Sequence, residues 1–262
     1  MHRAQRIAIV AAMPEELNAI LQAMPAREAV ERAGRTFWLS RWHGHEVVAV
    51  LSRIGKVAAA TTTTLLLSEF GADRVLFTGV AGGLGEGVRV GDVVVAHSLL
   101  QHDMDASPIF PRYQLPGLGV DRLPADVALS ALVAQVAAEV LHPEALALGG
   151  ALADAHLSAL SLVAPQVHRG LVISGDVFVD TGLESAALRQ ALPDALAVEM
   201  EGAALAQVCH DFGVPFAVIR TISDRADDSA HVDFQRFVAD VASRYSLAVV
   251  QALLARLPPA VR

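Results

Sequence analysis

The chain has 262 residues, 53% of them hydrophobic, and its 20 basic and 28 acidic side chains give a formal net charge of −8. This is ample for a large core, and the absence of any basic run speaks against nucleic acid as a partner. The single cysteine, Cys209, excludes a disulfide framework and points to a reducing compartment; no window approaches the roughly 20 uncharged apolar residues of a membrane span, so a soluble, cytoplasmic protein is expected.

Residues 7–12 form a short apolar run that leads straight into Met13-Pro14-Glu15-Glu16. It reads as a buried first strand rather than a signal peptide. Pro14 and the two acids then open a helix to about Met24. Residues 36–42 and 46–51 read as strands around a turn at His43-Gly44-His45. Gly55 precedes a helix over 56–69, ended by Gly71. A buried strand at 74–78 runs into Gly79-Val80-Ala81-Gly82-Gly83-Leu84-Gly85, read as a glycine-rich turn. Residues 93–96 form a short strand. From 101 to 121 the chain is irregular, with Pro108, Pro111, Pro116, Gly117 and Gly119, and loops of this length are often functional.

Helices are expected at 125–141 and 143–160, a strand at 167–174, a helix at 184–192 and a strand at 195–198. A helix over 201–212 is capped by Gly213, a strand covers 215–222, and a terminal helix covers 233–257. Cys209 falls within an apolar helical pattern and reads as core. No repeat or linker interrupts the alternation, so one α/β domain over 1–262 with a mixed sheet is expected.

In open α/β sheets ligands bind beyond the carboxyl ends of the strands. Applied here, the rule gathers Glu15 and Glu16, the glycine segment, Glu199-Met200-Glu201, and Ser223-Asp224 with Arg220 inside the last strand. Each acid alone also reads as an ordinary helix-start or turn residue. Arg220 within an apolar strand is harder to treat so, because a buried guanidinium needs a partner, commonly a carboxylate. The glycine segment has neither the dinucleotide nor the P-loop spacing, and a Gly-x-Ser-x-Gly elbow is absent. His102, Asp103 and Asp105 lack a second histidine pair or a cysteine pair, so no metal is expected and His102 reads as hydrogen-bonding or surface.

Six motifs occur in order: Ala12-Met13-x-Glu15-Glu16, Ile54-Gly55-Lys56-Val57, Thr78-Gly79-Val80-Ala81-Gly82-Gly83, Ser174-Gly175-Asp176-x-Phe178, Val198-Glu199-Met200-Glu201-Gly202 and Ile222-Ser223-Asp224. Together they resemble the bacterial 5′-methylthioadenosine/S-adenosylhomocysteine nucleosidases of the purine nucleoside phosphorylase/uridine phosphorylase superfamily. The resemblance covers nearly the whole chain. It implies a three-layer α/β/α fold with a mixed, partly barrel-like sheet, a homodimer, no cofactor, and cleavage of an adenine nucleoside by water. It casts Asp224 as the acid on the purine and Ser223 as its orienter. Glu16 becomes the activator of water, and Arg220 a support for the water and carboxylate network. Glu201 would hold the ribose hydroxyls and Met200 would pack on the sugar. Phe178 would stack on adenine, and the Val179 backbone would read the base edge. Val80, Ala81, Gly82 and Glu199 join the substrate-binding set, Glu199 without assigned chemistry. Ile109, Phe110 or Tyr113 would line the 5′ pocket of the neighbouring subunit.

Three rivals stand beside this reading. A phosphorolytic purine nucleoside phosphorylase would carry an arginine shortly before the glycine segment, where Phe77 and Thr78 stand here. Aminodeoxyfutalosine nucleosidase would use the same catalytic set. A non-catalytic nucleoside-binding protein would be marked by loss of the acid or the water activator, yet Glu16, Glu201 and Asp224 are all present.

Overall fold

The computed structural model describes residues 5–142, 144–145, 165–226 and 237–258. Among them lie strands β1 (Arg6–Ala11), β2 (Glu28–Arg32), β3 (Arg35–Trp42), β4 (His45–Leu51), β5 (Arg74–Gly83), β6 (Val93–Gln101), β7 (Leu123–Pro124), β8 (Val167–Ser174), β9 (Ala195–Glu199) and β10 (Phe216–Asp224). The helices are α1 (Pro14–Ala23), α2 (Lys56–Ser68), α3 (Val127–Val140), α4 (Gly182–Ala191), α5 (Gly202–Phe212) and α6 (Ser243–Arg256), the last entered through a π-helical turn at Val238–Ala242.

One mixed sheet runs β10-β6-β8-β9-β5-β1-β4-β3-β2, and an added β10–β5 pairing closes its first five strands into a barrel. β5 makes this closure possible. It pairs in parallel with β1 over Arg74–Phe77 and with β10 over Val75–Gly82, and its last residues, Gly82 and Gly83, pair antiparallel with Val198 and Ala197 of β9. The expected glycine-rich turn is therefore strand as far as Gly83. Small residues there let β5 bend across two neighbours, an arrangement the turn signal of clustered glycine does not distinguish from a corner.

Helices cover both faces. Leu17 and Ile20 of α1, Leu129 and Val133 of α3, and Tyr245, Val249 and Leu253 of α6 share one core with Ile7, Ile9 and Ile219. Leu66 and Leu67 of α2 and Leu205 and Cys209 of α5 share a second with Val10, Phe77 and Val218. A third cluster joins Leu100, Leu171, Ile173 and Leu192. Each fully buried Val, Leu or Ile contributes about 1.5–3 kcal/mol, so the layers are held chiefly by apolar burial. Cys209 is core as expected, and burial pushes its thiol up to about 12.

Several boundaries move. β2 was not expected: its sequence, Glu-Ala-Val-Glu-Arg, is polar, and it is a sheet edge with only Val30 half-buried. β6 continues to Gln101 and β10 to Asp224, beyond the expected 96 and 222. α3 begins at Val127 because Asp126 caps it, its carboxylate accepting the Leu129 N–H. Apart from residues 144–145, the helix expected at 143–160 lies outside the described residues, as does the start of the one expected at 233. The helical run 238–256 has the length and apolarity to cross a membrane, yet its residues pack in the core against α1 and α3.

Candidate active site

The carboxyl ends of β1, β5, β9 and β10 meet. Glu16 shows how the local fold serves the site. At the third position of α1 its Oε2 accepts the N–H groups of Ala12 (2.8 Å) and Met13 (2.9 Å), as a helix-start acid does. Its other oxygen, Oε1, reaches across to the Val80 N–H at 2.9 Å. The ordinary capping role and a place on β5 are thus filled by one buried carboxylate. Burial raises its pKa above the ordinary value, against the pull of Arg220 and the three N–H groups. Arg220 favours the ionised form of Glu16, and burial outweighs that pull.

Arg220 finds its ion-pair partner in Glu199, with Nη2 donating to Oε2 at 2.7 Å. Its guanidinium carbon lies 3.9 Å from the centre of the Phe77 ring. Nε and Nη1 have no hydrogen-bond partner among the described residues. Gly79 makes room for the arrangement: a Cβ there would sit 2.7 Å from Glu16 Oε1 and 3.1 Å from Arg220 Nη1.

Glu199 serves the frame. It accepts the N–H groups of Glu201 (3.1 Å) and Gly202 (2.9 Å), which α5 would otherwise leave unpaired, and the hydroxyl of Ser174. The Ser174 hydroxyl in turn accepts the Ala203 N–H at 2.8 Å. Glu201 is different. Its Oε1 accepts a single backbone donor, the Gly55 N–H at 2.8 Å, and Gly55 takes φ +97°, a conformation open to glycine. Burial, and next the charge of Glu199, push the Glu201 carboxyl up to about 8. Ser223 Oγ donates to Asp224 Oδ2 and the Ala226 N–H to Oδ1, each at 2.7 Å. A Cβ on Gly82 would stand 3.0 Å from Asp224 Oδ1, so the end of β5 abuts this acid.

A cavity of about 200 Å³ opens among these groups, walled by Met13, Glu16, Ile54, Val80, Val177, Phe178, Val179, Val198, Glu199, Met200 and Glu201. Phe178 is 43% exposed at its mouth, while Val179 is buried. Gly82, Arg220, Ser223 and Asp224, and Ala81 whose carbonyl accepts the Ser223 hydroxyl at 3.4 Å, adjoin this wall rather than forming it. Ile109 and Phe110 are exposed, and Tyr113 packs on the third apolar cluster; none of the three lines this chain's own cavity. His102 is buried, not superficial; its backbone N–H donates to the Ser174 carbonyl at 2.9 Å. Among the described residues no group of three or more His, Cys, Asp or Glu side chains is placed to hold a metal ion. Sequence reasoning assigned no role to Ser174 or to the Gly55 amide. The signal available was position, since both stand where a strand meets the same end of the sheet.

A mostly apolar cavity with a few convergent carboxylates suits a small ligand carrying a flat ring and hydroxyl groups. Comparison with known proteins agrees. A family model for the phosphorylase superfamily matches residues 6–255. A 5′-methylthioadenosine/S-adenosylhomocysteine nucleosidase from Neisseria meningitidis, solved with methylthio-immucillin-A, is 33% identical, with 97% of this chain and 100% of that chain covered and a TM-score of 0.84. The nucleosidase of the same name from S. pneumoniae, solved with a transition-state inhibitor, is 33% identical over 97% and 100%, with a TM-score of 0.81. Futalosine hydrolase of Helicobacter pylori is 32% identical over 97% and 98%, also at 0.81. This chain therefore belongs to the phosphorylase superfamily and, within it, to the 5′-methylthioadenosine/S-adenosylhomocysteine nucleosidase family of enzymes that cleave N-glycosidic bonds.

Proposed function

We propose that this enzyme hydrolyses the N-glycosidic bond of 5′-methylthioadenosine and S-adenosylhomocysteine, releasing adenine and the 5-thio-substituted ribose. The observation that carries the reading is the Glu16 carboxylate, buried at the cavity wall and aimed by three backbone N–H groups. A carboxylate with a raised pKa is a better base toward water than an ordinary one. Ionised, it also repels a phosphate nucleophile from the end of β1.

Adenine anion is a poor leaving group, so the base must be protonated as the bond breaks. Asp224, oriented by Ser223, supplies that proton to the imidazole-ring nitrogen of the purine. Phe178 stacks on the ring and the Val179 backbone reads its edge. Charge develops on the sugar as in glycoside hydrolysis. Glu201 holds the ribose hydroxyls, Met200 packs on the ribose, and Val80, Ala81 and Gly82 line its approach. Glu16 takes the proton of the attacking water, and Glu199 acts by holding Arg220. The functional unit is a cytoplasmic homodimer of single-domain chains spanning 1–262, in which Ile109, Phe110 or Tyr113 completes the 5′ pocket of the partner.

A second reading, hydrolysis of aminodeoxyfutalosine, is favoured by the likeness to futalosine hydrolase. The two are separated by specificity constants for adenine release from the three nucleosides, each measured with and without phosphate. The proposal expects the thio-nucleosides to lead and phosphate to have no effect. A lead for aminodeoxyfutalosine selects the second reading, and strict phosphate dependence overturns hydrolysis altogether.

A further inference from the structure

Lys56 is the first residue of α2 and takes no part in the chemistry above. Its backbone N–H donates to Asp176 Oδ1 at 2.7 Å. Its ammonium donates to Asp103 Oδ1 at 2.6 Å and to Gln101 Oε1 at 3.1 Å. The other oxygen of Asp103 accepts the Asp176 N–H at 2.9 Å. Three residues from the β4–α2 junction, the end of β6 and the segment after β8 therefore close a hydrogen-bonded ring.

An isolated exposed ion pair would constrain little. Here the Lys56 and Asp103 side chains are only 18% and 28% exposed, and two of the three links use backbone N–H groups, so the ring fixes main chain. Burial alone would raise the Asp103 carboxyl, but the bonds from Lys56 and the Asp176 amide bring it below its ordinary value. The position of the ring gives it consequence. The residue before Lys56 is Gly55, the backbone donor to Glu201. Two and three residues after Asp176 come Phe178 and Val179, which wall the cavity together with Ile54.

We propose that Lys56, Asp103 and Asp176 are positioning residues that set the span of the nucleoside cavity, holding the Gly55–Glu201 contact and the Phe178–Val179 edge in register. The inference rests on the nucleosidase reading. Glu16 and Asp224 are anchored separately, through Ala12, Met13 and Val80 and through Ser223 and Ala226. The ring therefore governs binding of substrate more than cleavage.

The test compares Lys56→Met, which keeps the stem and loses the donor, with Lys56→Arg, Asp103→Asn and the double variant Lys56→Met/Asp103→Asn. Loss of uniform binding predicts KM raised about tenfold with kcat within about twofold for Lys56→Met. Lys56→Arg should recover most of the KM change, and the double variant should be no worse than Lys56→Met alone because one link is lost in each case. Amide hydrogen exchange should accelerate at Gly55 and Asp176 in Lys56→Met, with β1 and β10 unchanged. Unaltered KM, or kcat and kcat/KM falling together in a folded variant, overturns the proposal, as does unaltered exchange at both amides. If the unaltered enzyme releases no adenine from any of the nucleosides, the nucleosidase reading fails instead, and the exchange experiment still decides whether the ring holds the two segments together.

Discussion

The guanidinium of Arg220 donates to the carboxylate of Glu199 at 2.7 Å, and the two side chains are 1% and 3% exposed. The pair links β10 to the end of β9 and, through Glu199, to the first turn of α5. Breaking a buried pair from one side leaves an uncompensated charge, at a cost of about 3–5 kcal/mol. Glu199→Ala should lower stability by that order in urea unfolding. The double variant Glu199→Ala/Arg220→Met should lose less than the sum of the two single changes, with a coupling of about 1–3 kcal/mol. Strict additivity would mean that the pair is not a stabilising unit.

With Asp224 as the proposed general acid, Asp224→Asn should lower turnover by roughly 100-fold or more, the usual contribution of such a group. An asparagine oxygen can still accept the Ala226 N–H, so the urea midpoint should change little. Ser223→Ala removes only the orienting hydroxyl and should cost less. Adenine release near the normal rate from Asp224→Asn would take this residue out of the mechanism.

Much of this was legible in the chain, and for physical reasons. Arg220 inside an apolar strand required a carboxylate, and Glu199 is that carboxylate. Which acid it would be was not legible, because Glu16, Glu199 and Glu201 all stand at strand ends and only three-dimensional register tells them apart. The layers followed from apolar runs alternating with helical patterns, whereas the barrel depends on β5 pairing with both β9 and β10, a long-range event that leaves only small residues at its crossing. β2 is polar because it is an edge strand, and its sequence therefore carries no burial signal. Backbone donors such as the Gly55 and Val80 amides have no side-chain signature at all.

The Glu201 carboxyl, ordinarily near 4.5, is pushed up to about 8 by burial and by Glu199. The folded state therefore binds a proton here that the unfolded chain has released, so this group's contribution to stability falls as pH rises from about 4.5 to about 8. Thermal unfolding of the ligand-free protein across that window should show Tm declining with pH more steeply than in Glu201→Gln, whose side chain does not titrate. Parallel pH profiles for the two proteins would remove Glu201 as the source.

Gly79 offers the sharpest test of the geometry at the centre of the site. A Cβ at this position would stand 2.7 Å from Glu16 Oε1, closer than real Cβ contacts come, and 3.1 Å from Arg220 Nη1, a tight approach. Neither neighbour moves freely, since Glu16 is tied to three amides and Arg220 to Glu199. Gly79→Ala should thus cost about 1–3 kcal/mol of stability, as overpacking does. It should also lower kcat by about 100-fold if Glu16 activates water as proposed, because a misplacement near 1 Å suffices for that loss. Urea unfolding and adenine release measured on the same preparation check both. A stable and fully active Gly79→Ala would mean that Glu16 is not held where its carboxylate meets the Val80 amide.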